Sequence, residues 1–158
     1  MPALTLGDLG RYNTAGNRIA TLAASTSLTP EQHDGKIMLL TGTGAALTQT
    51  LPAATGSGAF YTFVVGAVNT SNHLIKVTGD DVMYGTVWTS STGDTPDLGQ
   101  PWTTAADSDT ITLNGTTQGG AAVGDMIQLI DIAADKWLVL GFTTSTSAEA
   151  TPFSAAVS

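Results

Sequence analysis

Cysteine is missing altogether from the 158 residues. That excludes a disulfide framework, a thiolate metal site and a thiol nucleophile, and it fits synthesis in a reducing cytoplasm. Charge is scarce as well: 11% of residues are Asp, Glu, Lys or Arg, against about 25% in an average domain. Histidine occurs only at His33 and His73, in neither the His-x-x-x-His nor the Glu-x-x-His pattern of a helical metal site. No apolar run approaches the ~20 residues that cross a bilayer as a helix. The start, Met1-Pro2-Ala3-Leu4-Thr5, lacks the basic and continuous apolar stretches of a secretory signal. The expectation is a soluble, single-domain protein with no membrane partner, no cofactor and no metal.

What charge there is lies unevenly. Arg11 and Arg18 face one acid, Asp8, in the first 27 residues, which carry a net +1. The remainder holds twelve acids and three lysines, a net −9. Phosphate backbones are bound by neutralising them with Lys and Arg, so this body repels them and direct nucleic-acid binding is not expected. The hydrophobic fraction, 42%, is ordinary, so Thr, Ser, Gly, Ala and Asn must build the surface. Such a surface has little charge to desolvate and is readily buried against another protein. The plainer explanation is a β-rich chain with the usual abundance of Thr.

Residues 1–27 show no hydrophobic period and read as an extended arm. Their Tyr12, Arg11 and Arg18 are residue types enriched at interfaces. Thr29-Pro30-Glu31-Gln32 has the grammar of a helix start, with Thr29 as cap and Pro30 at the first helical position. Gly35 ends that helix after one turn.

From Lys36 onward the signals are all β. Strands are expected over 36–41, 46–50, 60–65, 73–78, 82–88, 110–113, 126–132 and 136–142. The turn Pro52 to Gly58 feeds Phe60 to Val65, which is hydrophobic on both faces and reads as a central strand covered on both sides. Phe60–Val65 and His73–Thr78, with Asn69-Thr70-Ser71-Asn72 between them, read as one hairpin. Met126–Ile132 and Lys136–Phe142 read as a second. Gly85 marks a bulge, and residues 89–108 form one long irregular segment. The polar tail contributes Pro152-Phe153, packing over an edge. The fold class expected is all-β, a single β-sandwich, jelly-roll-like domain over residues 28–158 preceded by the arm.

Catalytic chemistry finds no anchor. Gly42-Thr43-Gly44 begins like a dinucleotide fingerprint, but Leu47 takes the third glycine's place and no helix follows. Asp80-Asp81, Asp94 with Asp97, and Asp107 with Asp109 offer oxygen ligands without EF-hand spacing, and read better as solvated turns. Asn69-Thr70-Ser71 and Asn114-Gly115-Thr116 match the glycosylation pattern without a secretory context. Trp137 lies in an apolar strand and reads as core. Trp88 and Trp102 flank the long segment and are the candidates for a sugar-stacking platform.

One series of segments carries a resemblance. It comprises Leu28-Thr29-Pro30-Glu31-Gln32, then Leu51-Pro52-Ala53-Ala54-Thr55-Gly56-Ser57-Gly58-Ala59, Ile75-Lys76-Val77 and Asp81-Val82-Met83-x-Gly85. It continues with Asp109 to Thr117, Gly124-Asp125, Asp131-Ile132-Ala133-Ala134-Asp135-Lys136-Trp137 and Ala150-Thr151-Pro152-Phe153-Ser154. In this order and spacing, over residues 28–158, the chain resembles the head decoration (capsid cement) proteins of tailed bacteriophages. The resemblance implies a non-enzymatic virion protein, made in the host cytoplasm and seated on the outer capsid surface. It also implies a homotrimer with the major capsid protein as partner. Beside it stands the arm, where Arg11, Tyr12 and Arg18 are the candidate capsid contacts. The alternative reading is a carbohydrate- or receptor-binding module of a phage fibre or tail appendage, using Trp88 and Trp102.

Overall fold

A computed structural model describes residues 18–93 and 99–156. Arg11 and Tyr12 lie outside these residues, as do Asp94 and Asp97. In chain order the elements are β1 (Ile19–Leu22), β2 (Thr26–Ser27), α1 (Pro30–His33), β3 (Ile37–Leu40), β4 (Leu47–Thr50), β5 (Phe60–Val65) and β6 (His73–Lys76). They continue with β7 (Val82–Ser91), β8 (Gln100–Thr103), β9 (Thr110–Leu113), β10 (Met126–Ala133), β11 (Lys136–Ser145) and β12 (Phe153–Ser154). They form two sheets, ordered β1-β3-β5-β10-β11-β7-β8 and β12-β9-β6-β4-β2.

The β-sandwich expected from the strand spacing is what the chain forms. Its sheets are mixed, with parallel pairs β1/β3, β3/β5, β7/β11, β2/β4 and β4/β6, where a jelly roll is built from antiparallel Greek keys. Through the first half, successive strands alternate between the sheets. Ile19, Ile37 and Thr62 stack in register in the large sheet, and Thr26, Gln49 and Ile75 in the small one. This half therefore winds as three stacked coils of two strands each. The β10–β11 hairpin then lays β10 antiparallel along β5, and β11 carries β7 and β8 to the far edge.

One core cluster draws on the inner faces of both sheets. Met38, Tyr61, Phe63, Met83, Ile127, Leu129 and Trp137 come from the large sheet; Ile75, Ile111, Leu113 and Phe153 come from the small one. Tyr61 and Trp137 meet edge-on with centroids 5.7 Å apart, a favoured aromatic geometry. Trp137 is core, as its apolar strand suggested.

Several sequence expectations are corrected. Phe60–Val65 and His73–Thr78 are not a hairpin: β5 and β6 lie in different sheets. The connection between them is a crossover, and buried Asn69 ties it to the β3–β4 loop by accepting from Gly44 N (3.1 Å) and donating to Ala45 O (2.8 Å). Gly85 is no bulge, since β7 and β11 stay in register from Val82↔Lys136 to Ser91↔Ser145. Segment 89–108 contains the end of β7 and all of β8. Of the arm expected over 1–27, residues from Ile19 onward belong to the sandwich as β1 and β2. Thr29 makes no side-chain cap, although Pro30 holds the position expected of it; instead His33 Nδ1 accepts from Thr29 N at 3.0 Å.

Candidate interaction surface

Two features arise from these elements, an internal set of aspartates and an external apolar face. The turn that precedes β5 closes around a carboxylate. Asp131, 2% exposed on β10, accepts from Thr55 N (3.0 Å), Gly56 N (2.6 Å) and Ser57 N (3.0 Å), and from the Thr55 and Ser57 hydroxyls (3.1 and 2.7 Å). Successive amides converging this way form an anion nest. Gly56 takes φ 79° to aim its amide, a conformation cheap only for glycine. Burial alone would push the Asp131 carboxyl up, but the bonds from Ser57, Thr55 and Gly56 hold it at about 2. The nest is thus already filled by the chain's own carboxylate.

Three further aspartates act similarly. Asp81 accepts from Ala54 N (2.7 Å) and Trp137 Nε1 (3.2 Å). Asp125 accepts from Gly120 N (2.9 Å) and Thr144 N (2.8 Å). Asp109 accepts from Ala156 N (2.7 Å) and Thr110 Oγ1 (2.8 Å). All three are under 8% exposed, so Asp81 and Asp109 correct the expectation of solvated turns. They share a shallow depression with Asp80 and Asp107. Among the described residues no group of three His, Asp or Glu is arranged to hold a metal ion.

His73 is 1% exposed on the inner face of β6, and neither ring nitrogen meets hydrogen-bonding geometry. Burial lowers its pKa, opposed in part by the nearby Ala67 backbone. Burial, then the charges of Asp34, Asp131 and Glu31, push Tyr61 up to about 12. Both groups are buried in the interior of the sandwich.

The two sheets differ on their outer faces. The small sheet shows Thr48, Thr50, Leu74, Lys76 and Thr112, all half-buried, an ordinary polar exterior. The large sheet shows three rows of uncharged side chains. One row runs Leu39, Val64, Met126, Phe142, Trp88, Pro101 across six adjacent strands. The next holds Ile19, Ile37, Thr62, Gln128, Leu140, Thr86 and Thr103. The third holds Phe60, Ile130, Leu138 and Tyr84. Within the middle row Gln128 donates to Thr62 Oγ1 (3.1 Å), and the Thr86 and Thr103 hydroxyls lie 3.4 Å apart. Lys136 borders the face with its ammonium 6.0 Å from the Tyr84 ring centroid.

Ten large hydrophobic side chains stand exposed among the described residues. Eight are in these rows: Ile19, Ile37, Phe60, Tyr84, Trp88, Met126, Leu140 and Phe142, the last 68% exposed. A ninth, Ile132, sits at the β10 irregularity on its margin. Contiguous apolar patches beyond a few hundred Å² are uncommon on monomers and mark interaction sites.

The residues singled out from sequence separate here. Arg18 is exposed at the start of β1, on the edge of the large sheet, with its carbonyl accepting from Ile37 N (2.8 Å). Trp88 is 45% exposed on the outer face. Trp102 pairs with Val87 in the ladder, turns inward and packs on the core. The two tryptophans therefore lie on opposite faces of the sheet; Trp88 has Phe142 beside it instead. The outer face itself escaped sequence reasoning. Its signal was the hydrophobicity of β5 on both faces: Tyr61, Phe63 and Val65 are buried, while Phe60 is 42% exposed.

Compared with protein-family models, with curated proteins and with solved structures, the chain finds no match.

Proposed function

We propose that this chain is a structural virion protein that binds the outer surface of a phage capsid and stabilises the shell by bridging capsid subunits. The observation that carries an assembly role is the concentration of exposed large apolar side chains on one uncharged sheet face. The resemblance of the ordered segments to phage head decoration proteins suggests the kind of assembly. The acidic body, net −8 overall, suits the outside of a shell better than a surface facing packaged DNA. In this reading the chain works as a homotrimer on the major capsid protein and performs no reaction. Trimeric attachment multiplies weak single contacts by roughly 10²–10⁴.

The test mixes the purified chain with undecorated shells assembled from the proposed partner, a tailed-phage major capsid protein. Particle mass and cryo-electron microscopy then read its occupancy. Regular occupancy of the outer surface in hundreds of copies is the expected result; absence of binding, or tens of copies or fewer, rejects the reading. The exposed Trp88–Phe142 pair keeps one alternative open, a fibre or tail module stacking on sugars. Glycan binding that disappears in Trp88→Ala would favour it.

A further inference from the structure

We propose that the outer face of the seven-stranded sheet is the surface through which copies of this chain associate with one another. The inference gives a place to the self-association named above, and it stands whether the particle is a capsid or a fibre.

Size is the first argument. Seven strands at ~4.8 Å spacing and three rows of side chains span roughly 30 by 20 Å, or about 600 Å². Two such faces together cover about 1,200 Å², above the ~1,000 Å² expected of a specific interface.

Charge is the second. Every described acid lies off the three rows, so two copies of an acidic chain can meet here without apposing like charges. A basic partner would find nothing on this face to pair with. The central polar groups, Gln128 and Thr62, share one hydrogen bond; the Gln128 carbonyl oxygen, its second N–H and the Thr62 hydroxyl hydrogen are left for the second copy's own polar row to meet.

The third argument is the pattern of β5, β10 and β11. Phe60 and Val64, Met126 and Ile130, and Leu138, Leu140 and Phe142 make these strands apolar on the side away from the core as well as toward it. That is the composition of strands covered on both faces. The chain encounters its own copies from synthesis onward, before any shell is present.

Phe142 and Leu140 project outward near the centre of the face, so charging them leaves the core intact. The full chain is expected to be oligomeric at micromolar concentration by analytical ultracentrifugation. Phe142→Asp with Leu140→Asp should weaken association at least 100-fold, with an unchanged far-ultraviolet spectrum. A second measurement avoids any question of folding: in the unaltered chain, Trp88 fluorescence should be shielded from acrylamide at high concentration and become accessible on dilution. Trp88→Phe identifies that component of the signal. A monomeric wild-type chain, or an oligomer that survives both aspartates unchanged, overturns the proposal. With a monomer, Trp88 exposed by deletion of residues 2–17 would assign the face to the chain's own arm. Shielding acquired only on shells would assign it to the capsid. Shell occupancy measured in parallel separates failure of this inference from failure of the capsid reading.

Discussion

Asp131 and Asp125 are both buried carboxylates that accept backbone amides, yet their ionisation works in opposite directions. At Asp131 the donors outweigh burial and hold the pKa at about 2. Its stabilisation is therefore complete above the ordinary value of 3.8 and is lost as pH falls toward 2. At Asp125 burial dominates and raises the pKa, although Thr144, Ala122 and Gly120 oppose it. Its favourable contribution belongs to the protonated form, present below 3.8 and lost as pH rises through the raised value. Asp131→Ala at pH 7 is expected to cost about 2–3 kcal/mol, because the freed amides of the exposed turn can bond water and so forfeit only part of the full penalty. That cost should shrink as the pH is lowered below 4. Asp125→Asn should be neutral or stabilising by about 1 kcal/mol at pH 7, since one amide oxygen can accept from both Gly120 and Thr144. Its advantage should vanish in acid. Urea titrations of both variants at pH 7 and pH 3 check the two signs together.

At the scale of elements, the β7–β11 pair depends on a glycine, Gly85. Gly85 adopts φ 150°, and a Cβ added there would overlap the Val139 carbonyl oxygen. Gly85→Ala should therefore cost more than about 3 kcal/mol, because a ladder buried on its inner face cannot open to admit a methyl group. Gly44→Ala is the milder comparison: its φ of 80° lies nearer the left-handed region that L residues can enter, with open space around it, and it should cost about 1 kcal/mol. Thermal unfolding of the pair checks that ranking. The sequence located the glycine and mistook its cause. A bulge and a close approach both call for Gly, and only the β11 partner, Val139, 54 residues further along the chain, distinguishes them. The β5–β6 error has the same origin. Turn residues near 69–72 were legible, but whether the chain folds back or crosses to another sheet depends on β4 and β10 competing as partners. The β10–β11 hairpin was legible because Ala133-Ala134-Asp135 leaves room for nothing else, and Asp135 takes the positive φ, 60°, that such a turn demands. Asp81 and Asp109 were legible only as turn formers, and Asp131 only as a strand residue, since donors such as Ala54, Ala156 and the 55–57 turn lie far away along the chain.

Considered as a whole molecule, the sandwich begins earlier than hydrophobic periodicity indicates. Four residues of β1 and two of β2 are too short to show a period, yet Leu22 is 5% exposed and stands beside Leu40 in the ladder. Two truncations therefore have different outcomes. Deleting residues 2–17 removes Arg11 and Tyr12 and leaves every described strand in place, so it should lower the urea midpoint less than the longer deletion. Deleting 2–27 also removes an edge strand from each sheet and uncovers apolar surface beneath Leu22, costing at least about 2–3 kcal/mol. Capsid affinity should respond differently from stability. If the arm's arginines contact acidic groups on the shell, the 2–17 deletion lowers occupancy while the fold persists, and Arg18→Ala added to it lowers occupancy further. The remaining binding should depend less on salt, because charge-assisted contacts are the ones that ions screen. Each lost contact is repeated in every subunit of an attached oligomer, so a small change per arm becomes a large change in residence on the shell. Unchanged occupancy with unchanged salt dependence would remove the arm from the capsid contact and leave the sandwich itself to make it.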